Sequence, residues 1–336
     1  MPVSLTIKRL VTNQPIDLPV FHPIAIKLQM LLESTSYSIE DVITLITEDQ
    51  ALAGQILKMA NSTVYIGRVR TETIKEAVIR LGAHHVSNLA MAVSQSGLHM
   101  SGNKVINDCL LSLWLHSHAC AVGSSWLAKH TGNAQYADRA YMGGLLHDVG
   151  KLYLLKALER LNKLGVAQAA LEESLLLELF AEMHVEQGSQ VMQHWNMPKV
   201  FHDIAVRHHD ATFDRDDIPL VLVRLANQTC KVVGLGTGPK TDLDILALPE
   251  SEILQLSADQ LAELLALQND SQILLPILPE AQKPPTRSYE IVSRPFRLGW
   301  ELLLLDNGVE EERKNYPVGE GGYRDAEVQG KAWVRG

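Results

Sequence analysis

Apolar positions recur at helical spacing along most of this chain. Ile39, Val42, Ile43 and Ile46 form one helix face, opened by Ser38 with Asp41 three residues on, the spacing of a capping box. Leu52, Ile56, Leu57 and Met59 mark a second helix, closed by the polar Asn61 and Ser62. Thr73 and Glu76 repeat the capping spacing ahead of Ile74, Ala77, Val78 and Leu81, and Gly82 reads as a C-terminal cap. Val105–His130 reads as one long helix. Further helices are expected around Tyr141–Leu164, Leu171–Trp195, Lys199–His209 and Pro219–Val233, with Pro198 separating the second from the third. Gly234, Gly236, Gly238 and Pro239 make a loop, after which Ser257 and Gln260 cap an amphipathic helix through Leu267.

Both ends differ in character. Pro15, Pro19 and Pro23 space out an extended lead-in, so residues 1–18 are read as an N-terminal arm. The main domain is expected over 19–237, with a helical extension over 238–283. Residues 284–336 are a Pro/Gly-containing tail in which the run ending at Asn307-Gly308 suits a short strand and turn. That tail either hangs loosely or covers part of the helical surface. The turn from Asn61 to Thr73 mixes Tyr65 and Ile66 with Arg68 and Arg70, a combination expected on a partner-binding surface. The expected fold is an all-α helical bundle with minor β content confined to the C-terminal extension.

Composition narrows the functional classes. Apolar residues make up 46% and aromatics only 5% of the 336 residues, which favours helices over a β-sandwich. A net charge of −9 and the lack of a Lys/Arg cluster argue against nucleic acid as a partner. No apolar run approaches membrane length, and the N-terminus lacks a signal-peptide pattern. Cys109, Cys120 and Cys230 sit in apolar surroundings without a Cys-x-x-Cys, as reduced core cysteines do. Together these predict a soluble cytoplasmic protein.

The thirteen histidines carry the chemistry. GLLHDVGKLYLL, residues 144–155, sets His147 beside Asp148 and places Lys151 one helical turn on, where its ammonium can meet an anion. His116 lies in the apolar seam Cys109, Leu113, His116, Cys120, Gly123, Leu127, whereas His118 points elsewhere. His184 shares a face with Gly188 and Val191, and a glycine there permits close helix approach. His208 and His209 end adjacent i, i+4 rows, and Asn227 points inward from the stripe Leu220, Val223, Asn227, Cys230. Inward-facing imidazoles need partners, because an unpaired buried one costs about 1–3 kcal/mol. Either each bonds a carbonyl or core polar group, or a shared metal satisfies them together.

These residues are where the sequence resembles the HD superfamily and, within it, the HDOD (HD-related output domain) family. The likeness covers roughly residues 19–235. It runs through DLPVFHPIAIKL, ITEDQALAGQILKMANSTVY, ETIKEAVIRLG, WLHSHACAV, GLLHDVGKL, HVEQGSQVMQHWNMP, AVRHHD and VRLANQTCKVVG. The resemblance implies a metal set of His116, His147, Asp148, His184, His208 and His209, with Lys151 at the phosphate-contacting position of the HD-GYP relatives. Asn227 stands where HD enzymes carry the final ligand aspartate, leaving Asp148 the one carboxylate and making Asn227 a weak or lost ligand. No Gly-Tyr-Pro follows His208-His209-Asp210, so hydrolysis by the HD-GYP route is not implied.

Two functional readings follow. One is a non-enzymatic signalling output module that binds regulatory proteins or a small nucleotide or phosphate ligand, as the family implies. The other is a metal-dependent phosphohydrolase acting on a nucleotide or phosphomonoester, with Asp148 at the metal and Lys151 on the phosphate. An imidazole-rich set with one carboxylate suits iron, manganese, zinc or nickel better than magnesium or calcium, and a single ion better than a pair.

Overall fold

The computed structural model describes residues 3–12, 22–33, 36–62, 65, 70–165, 173–269 and three strands within 289–317. The chain divides into two units, residues 1–279 and 280–336. In the first, the helices are α1 (Val3–Thr12), α2 (Pro23–Glu33), α3 (Ile39–Thr47), α4 (Gln50–Ala60), α5 (Ile74–Leu81), α6 (Ala83–Ser96), α7 (Lys104–His130), α8 (Ala137–Leu146) and α9 (Val149–Lys163). They continue with α10 (Glu173–His194), α11 (Lys199–Arg207), α12 (Ile218–Val233), α13 (Pro249–Leu254) and α14 (Ala258–Asn269). The second unit contributes β1 (Tyr289–Phe296), β2 (Gly299–Asp306) and β3 (Val309–Pro317), antiparallel in that order.

Local signals explain most boundaries. Ser38 and Asp41 form a reciprocal capping box on α3, and Ser257 and Gln260 do the same before α14. The Thr73 hydroxyl accepts from the Glu76 N–H, but the Glu76 carboxylate turns to the Glu72 N–H, so only half of that box forms. Asn61 does more than end α4. Its side-chain amide donates to the Thr71 carbonyl at 2.7 Å and its Oδ1 accepts from the Thr71 N–H at 2.8 Å, closing the turn between α4 and α5. Ile66 and Arg68, in that turn, lie outside the described residues.

Three features depart from the sequence reading. Tyr141–Leu164 is not one helix, because the chain breaks at Asp148, whose ψ of 19° leaves the helical region. No glycine or proline marks this break, and apolar residues continue through it because both helices are enclosed on several sides. The helix α6 was not anticipated. It is buried nearly all round, from His85 to Val93, and so shows no amphipathic stripe. The arm contains α1, ten residues of helix ahead of the prolines that suggested an extended lead-in. Tyr153 donates to the Val11 carbonyl and Lys8 pairs with Glu178 and Glu182, fixing α1 against α9 and α10.

The core gathers around α7, which packs on α8, α9, α12 and α14 and buries Leu110, Leu113 and Trp114. Two crossings depend on absent side chains. A Cβ on Gly144 would sit 2.8 Å from the Ala121 backbone, and one on Gly150 only 1.8 Å from the His184 carbonyl and 2.6 Å from the Gly188 nitrogen. Both glycines thus let backbone meet backbone. Among the described residues no helix is long and apolar enough to cross a membrane.

Two predictions follow from this packing. Gly150→Ala cannot be accommodated without separating α9 from α10, so urea denaturation should show a loss of more than about 3 kcal/mol. Burial also lowers His99 to about 4 and His118 to about 3, so both are neutral when folded. The unfolded chain takes up those protons below about 6.5, so stability is full above that pH and falls as the pH drops toward the folded values. His118, stacked on Trp114 with both ring nitrogens unpartnered among the described residues, is replaceable by phenylalanine. His118→Phe should flatten the fall of unfolding free energy between pH 6.5 and 4.5 by up to about 1.4 kcal/mol per pH unit.

Candidate metal centre

Five elements converge on Asp148. His116 comes from the middle of α7, His147 and Asp148 from the α8–α9 break, His184 from α10, and His208 and His209 from the end of α11. His116 and His147 are each 1% exposed and Asp148 2%, whereas His209 is exposed. The carboxylate has two faces. Its Oδ2 lies 3.3 Å from His116 Nε2, 3.3 Å from His147 Nε2 and 2.6 Å from Lys151 Nζ. Its Oδ1 lies 3.5 Å from His208 Nε2 and 3.7 Å from His184 Nε2, with His209 completing that group. Asn227 is buried on α12, the helix packed against α7 and α8, and its Oδ1 meets no donor. The inward set read from the sequence is brought together, and His118 points away into the core.

The opposite edge of each buried imidazole fixes what the inner edge can do. The Nδ1 of His116 faces the Leu235 carbonyl at 2.7 Å, that of His147 the Gly144 carbonyl at 2.8 Å, and that of His208 the Ala205 carbonyl at 2.9 Å. His184 Nδ1 faces the Phe180 carbonyl one turn back. A carbonyl only accepts, so each Nδ1 carries the proton, and a ring so held has its Nε2 left to turn a lone pair toward Asp148. His116 Nε2 and His147 Nε2 stand 3.2 Å apart, a separation that two bare lone pairs do not hold without a positive charge between them. The Nε2 atoms of His184 and His208 and Oδ1 of Asp148 have no hydrogen-bond partner among the described residues.

A cation resolves this arrangement. Four lone pairs and a carboxylate repel one another unless a positive charge lies among them. Carbonyl-anchored histidines are the arrangement that metal ligands require. The separations of 3.2–3.3 Å among His116, His147 and Asp148 match the edge of about 3.3 Å in a tetrahedron with metal–ligand bonds near 2.0–2.1 Å. The residues therefore fit a divalent transition metal.

Electrostatics point the same way. Burial lowers His147 and His184 to about 4, more than the attraction of Asp148 raises them, so both are neutral ligands at pH 7. Burial alone would raise Asp148, but the Lys151 ammonium and the surrounding imidazoles outweigh it and hold the carboxyl well below its usual range. His209 reaches solvent, but the side of its ring that faces the cluster is enclosed, and this together with His208 beside it lowers its pKa.

Several supporting residues gave no sequence signal of their role. Arg224 donates to the carbonyls of Arg207, His208 and Asp210, pairs with Glu250 at 2.7 Å and lies over the Phe213 ring, locking the end of α11 that carries both histidines. Its one clue is a lone arginine in the apolar run of α12. Gln268 reaches from α14 between α7 and α12, donating to the Ala226 carbonyl at 3.2 Å and to Ala119 at 3.4 Å. It occupies the space that Gly123 leaves open.

Comparison with known proteins places this geometry. The chain is 27% identical over 255 residues to an uncharacterized protein of Treponema pallidum (strain Nichols), covering 73% of this chain. It spans about half, 49%, of that curated relative's length. Among solved structures, an HDOD domain protein of unknown function from Geobacter sulfurreducens is similar with a TM-score of 0.62 at 22% identity, covering 82% of this chain and 97% of that one. A Marinobacter aquaeolei VT8 protein named "Putative signal transduction protein" gives 0.58 at 20% identity, covering 81% and 64%. A Shewanella amazonensis SB2B protein named "Putative metal-dependent phosphohydrolase" gives 0.57 at 20% identity, covering 79% and 98%. The sequence profile of the HDOD domain matches residues 18–211, more than half of the chain, and the protein belongs to the HDOD family.

Proposed function

We propose that this chain is a signalling output module whose HD centre holds one divalent transition metal and hydrolyses phosphate esters weakly or not at all. The observation that carries the metal is the set of Nε2 lone pairs turned on Asp148 by carbonyls behind them. The charge balance limits activity. With Asn227 in place of an aspartate, the site has one carboxylate against the metal and Lys151, so a second cation finds no anionic ligand. Iron, manganese, zinc and nickel all suit the imidazole-rich set. In this reading the helical surface meets regulatory proteins in the cytoplasm, and a small nucleotide or phosphate ligand at the centre is the signal.

The second reading, a metal-dependent phosphohydrolase for a nucleotide or phosphomonoester, draws support from Lys151. Its ammonium lies within 2.6 Å of Asp148, beside the position a phosphate on the metal would take. A bound metal supplies an activated water and polarises the phosphoryl oxygen. Around it, Asp148 joins the two histidine groups, Lys151 offsets the charge of the phosphate, and the carbonyl-bound Nδ1 atoms leave the Nε2 atoms free to serve as ligands.

Metal analysis of protein purified without an affinity tag tests the centre. The unmodified protein should carry about one equivalent, and His147→Ala should carry almost none. Stoichiometric metal in His147→Ala would show that the ion lies elsewhere. Asn227→Asp should bind the metal about 10-fold tighter or more and raise residual turnover of p-nitrophenyl phosphate or its bis-ester. Vigorous turnover by the unmodified protein would replace the output-module reading with the hydrolase.

A further inference from the structure

A groove of about 660 Å³ runs between the first turns of α7, the first half of α10 and the glycine loop after α12. Its walls are the ones that hold the metal-facing histidines. Phe180, on the α10 wall, offers the carbonyl that receives His184 Nδ1. Leu235, whose carbonyl receives His116 Nδ1, immediately precedes the lining residue Gly236. Ser112 lies one turn before His116 on the α7 wall. The inner end of the groove therefore abuts the histidine cluster.

Lys231 stands at this junction. It lies one turn after Asn227 on α12, and its aliphatic stem runs beside Gly236, so that a Cβ there would be 3.8 Å from Lys231 Cγ. Lys151 and Asp148 both act on its ammonium, which burial lowers first and the neighbouring Lys151 lowers further. Among the described residues no carboxylate comes within ion-pair distance of Lys231. Lys151, by contrast, is matched by Asp148. A partly buried cation without a counter-ion among the described residues is a seat for an anion.

The groove specifies what the anion is attached to. Its volume is that of a site for a small organic molecule, far larger than a phosphate needs. Leu176 and Phe180 give it an apolar wall, while Ser112, Thr237 and Asp108 supply hydroxyl and carboxylate acceptors for ligand hydroxyls. Asp108 also repels a ligand carrying further phosphates along the groove. We infer that Lys231 and this groove form a binding subsite for a phosphate monoester on a hydroxylated body of mononucleotide size, with the phosphate on the Lys231 ammonium. The inference rests on the small nucleotide or phosphate ligand proposed for the centre, and it holds whether that ligand is a signal or a substrate.

Calorimetric titration of the full chain with adenosine 5′-monophosphate, adenosine 5′-diphosphate and inorganic phosphate tests it, with metal content measured on each sample. The monophosphate should bind at least about 10-fold tighter than inorganic phosphate and tighter than the diphosphate. Lys231→Met should weaken the monophosphate about 10-fold or more while leaving the metal in place. Ser112→Trp, a change at an exposed helical position, should fill the groove and weaken the monophosphate but not inorganic phosphate. Equal binding of monophosphate and inorganic phosphate, or unchanged affinity in Lys231→Met, would overturn the subsite. An unmodified protein without metal that still binds the monophosphate through Lys231 would sink the metal centre and keep the subsite; failure to bind with the metal present would do the reverse.

Discussion

The carboxylate of Asp148 is almost wholly withdrawn from water, and the arrangement of the helical unit answers to that charge. A buried anion costs several kcal/mol unless its partners are close and oriented. Lys151 supplies one partner at 2.6 Å, reaching back one turn from the start of α9. The imidazoles close round both of its oxygens, with Nε2 atoms of His116 and His147 on one side and of His184 and His208 on the other. The break between α8 and α9 puts the carboxylate where α7, α10 and α11 can all approach it. Gly150 then allows α10 to come near enough for His184 to face Oδ1.

Backbone carbonyls do the orienting. Each of four histidines is held from behind by a carbonyl, and three of those carbonyls belong to the same helix as the ring, three or four residues earlier. His116 is the exception. Its carbonyl comes from Leu235, in the loop after α12, so the ligand edge on α7 depends on a segment more than a hundred residues away. Arg224 and Gln268 extend this dependence, tying the end of α11 and the α7–α12 crossing to α13 and α14. The helices beyond the matched family region therefore support the centre as well as cover it.

How much of this was legible in the sequence varies by residue. His116, His147, Asp148, His184, His208 and His209 could be chosen because each sits in an apolar row, and a polar residue in such a row must find a partner. Ser38 and Thr73 mark helix starts through their own side-chain oxygens, which is local chemistry within three residues. The break at Asp148 was not legible, because a single ψ angle decides it and the apolar pattern runs on. Nor was α6, because a helix buried on every side loses the periodicity that reveals one.

The sequence by itself determined the helical class, the caps and the identity of the inward polar residues, since those follow from spacing along one helix. Tertiary structure alone decided that Asp148 is shared between two groups of histidines, that carbonyls hold the Nδ1 of four of those rings, and that Lys231 lies beside the glycine loop of a groove. Those facts depend on distances between helices far apart in the chain. Such distances are set by where glycines permit backbones to touch and by which buried charge must be surrounded, and no repeat of 3.6 residues records them.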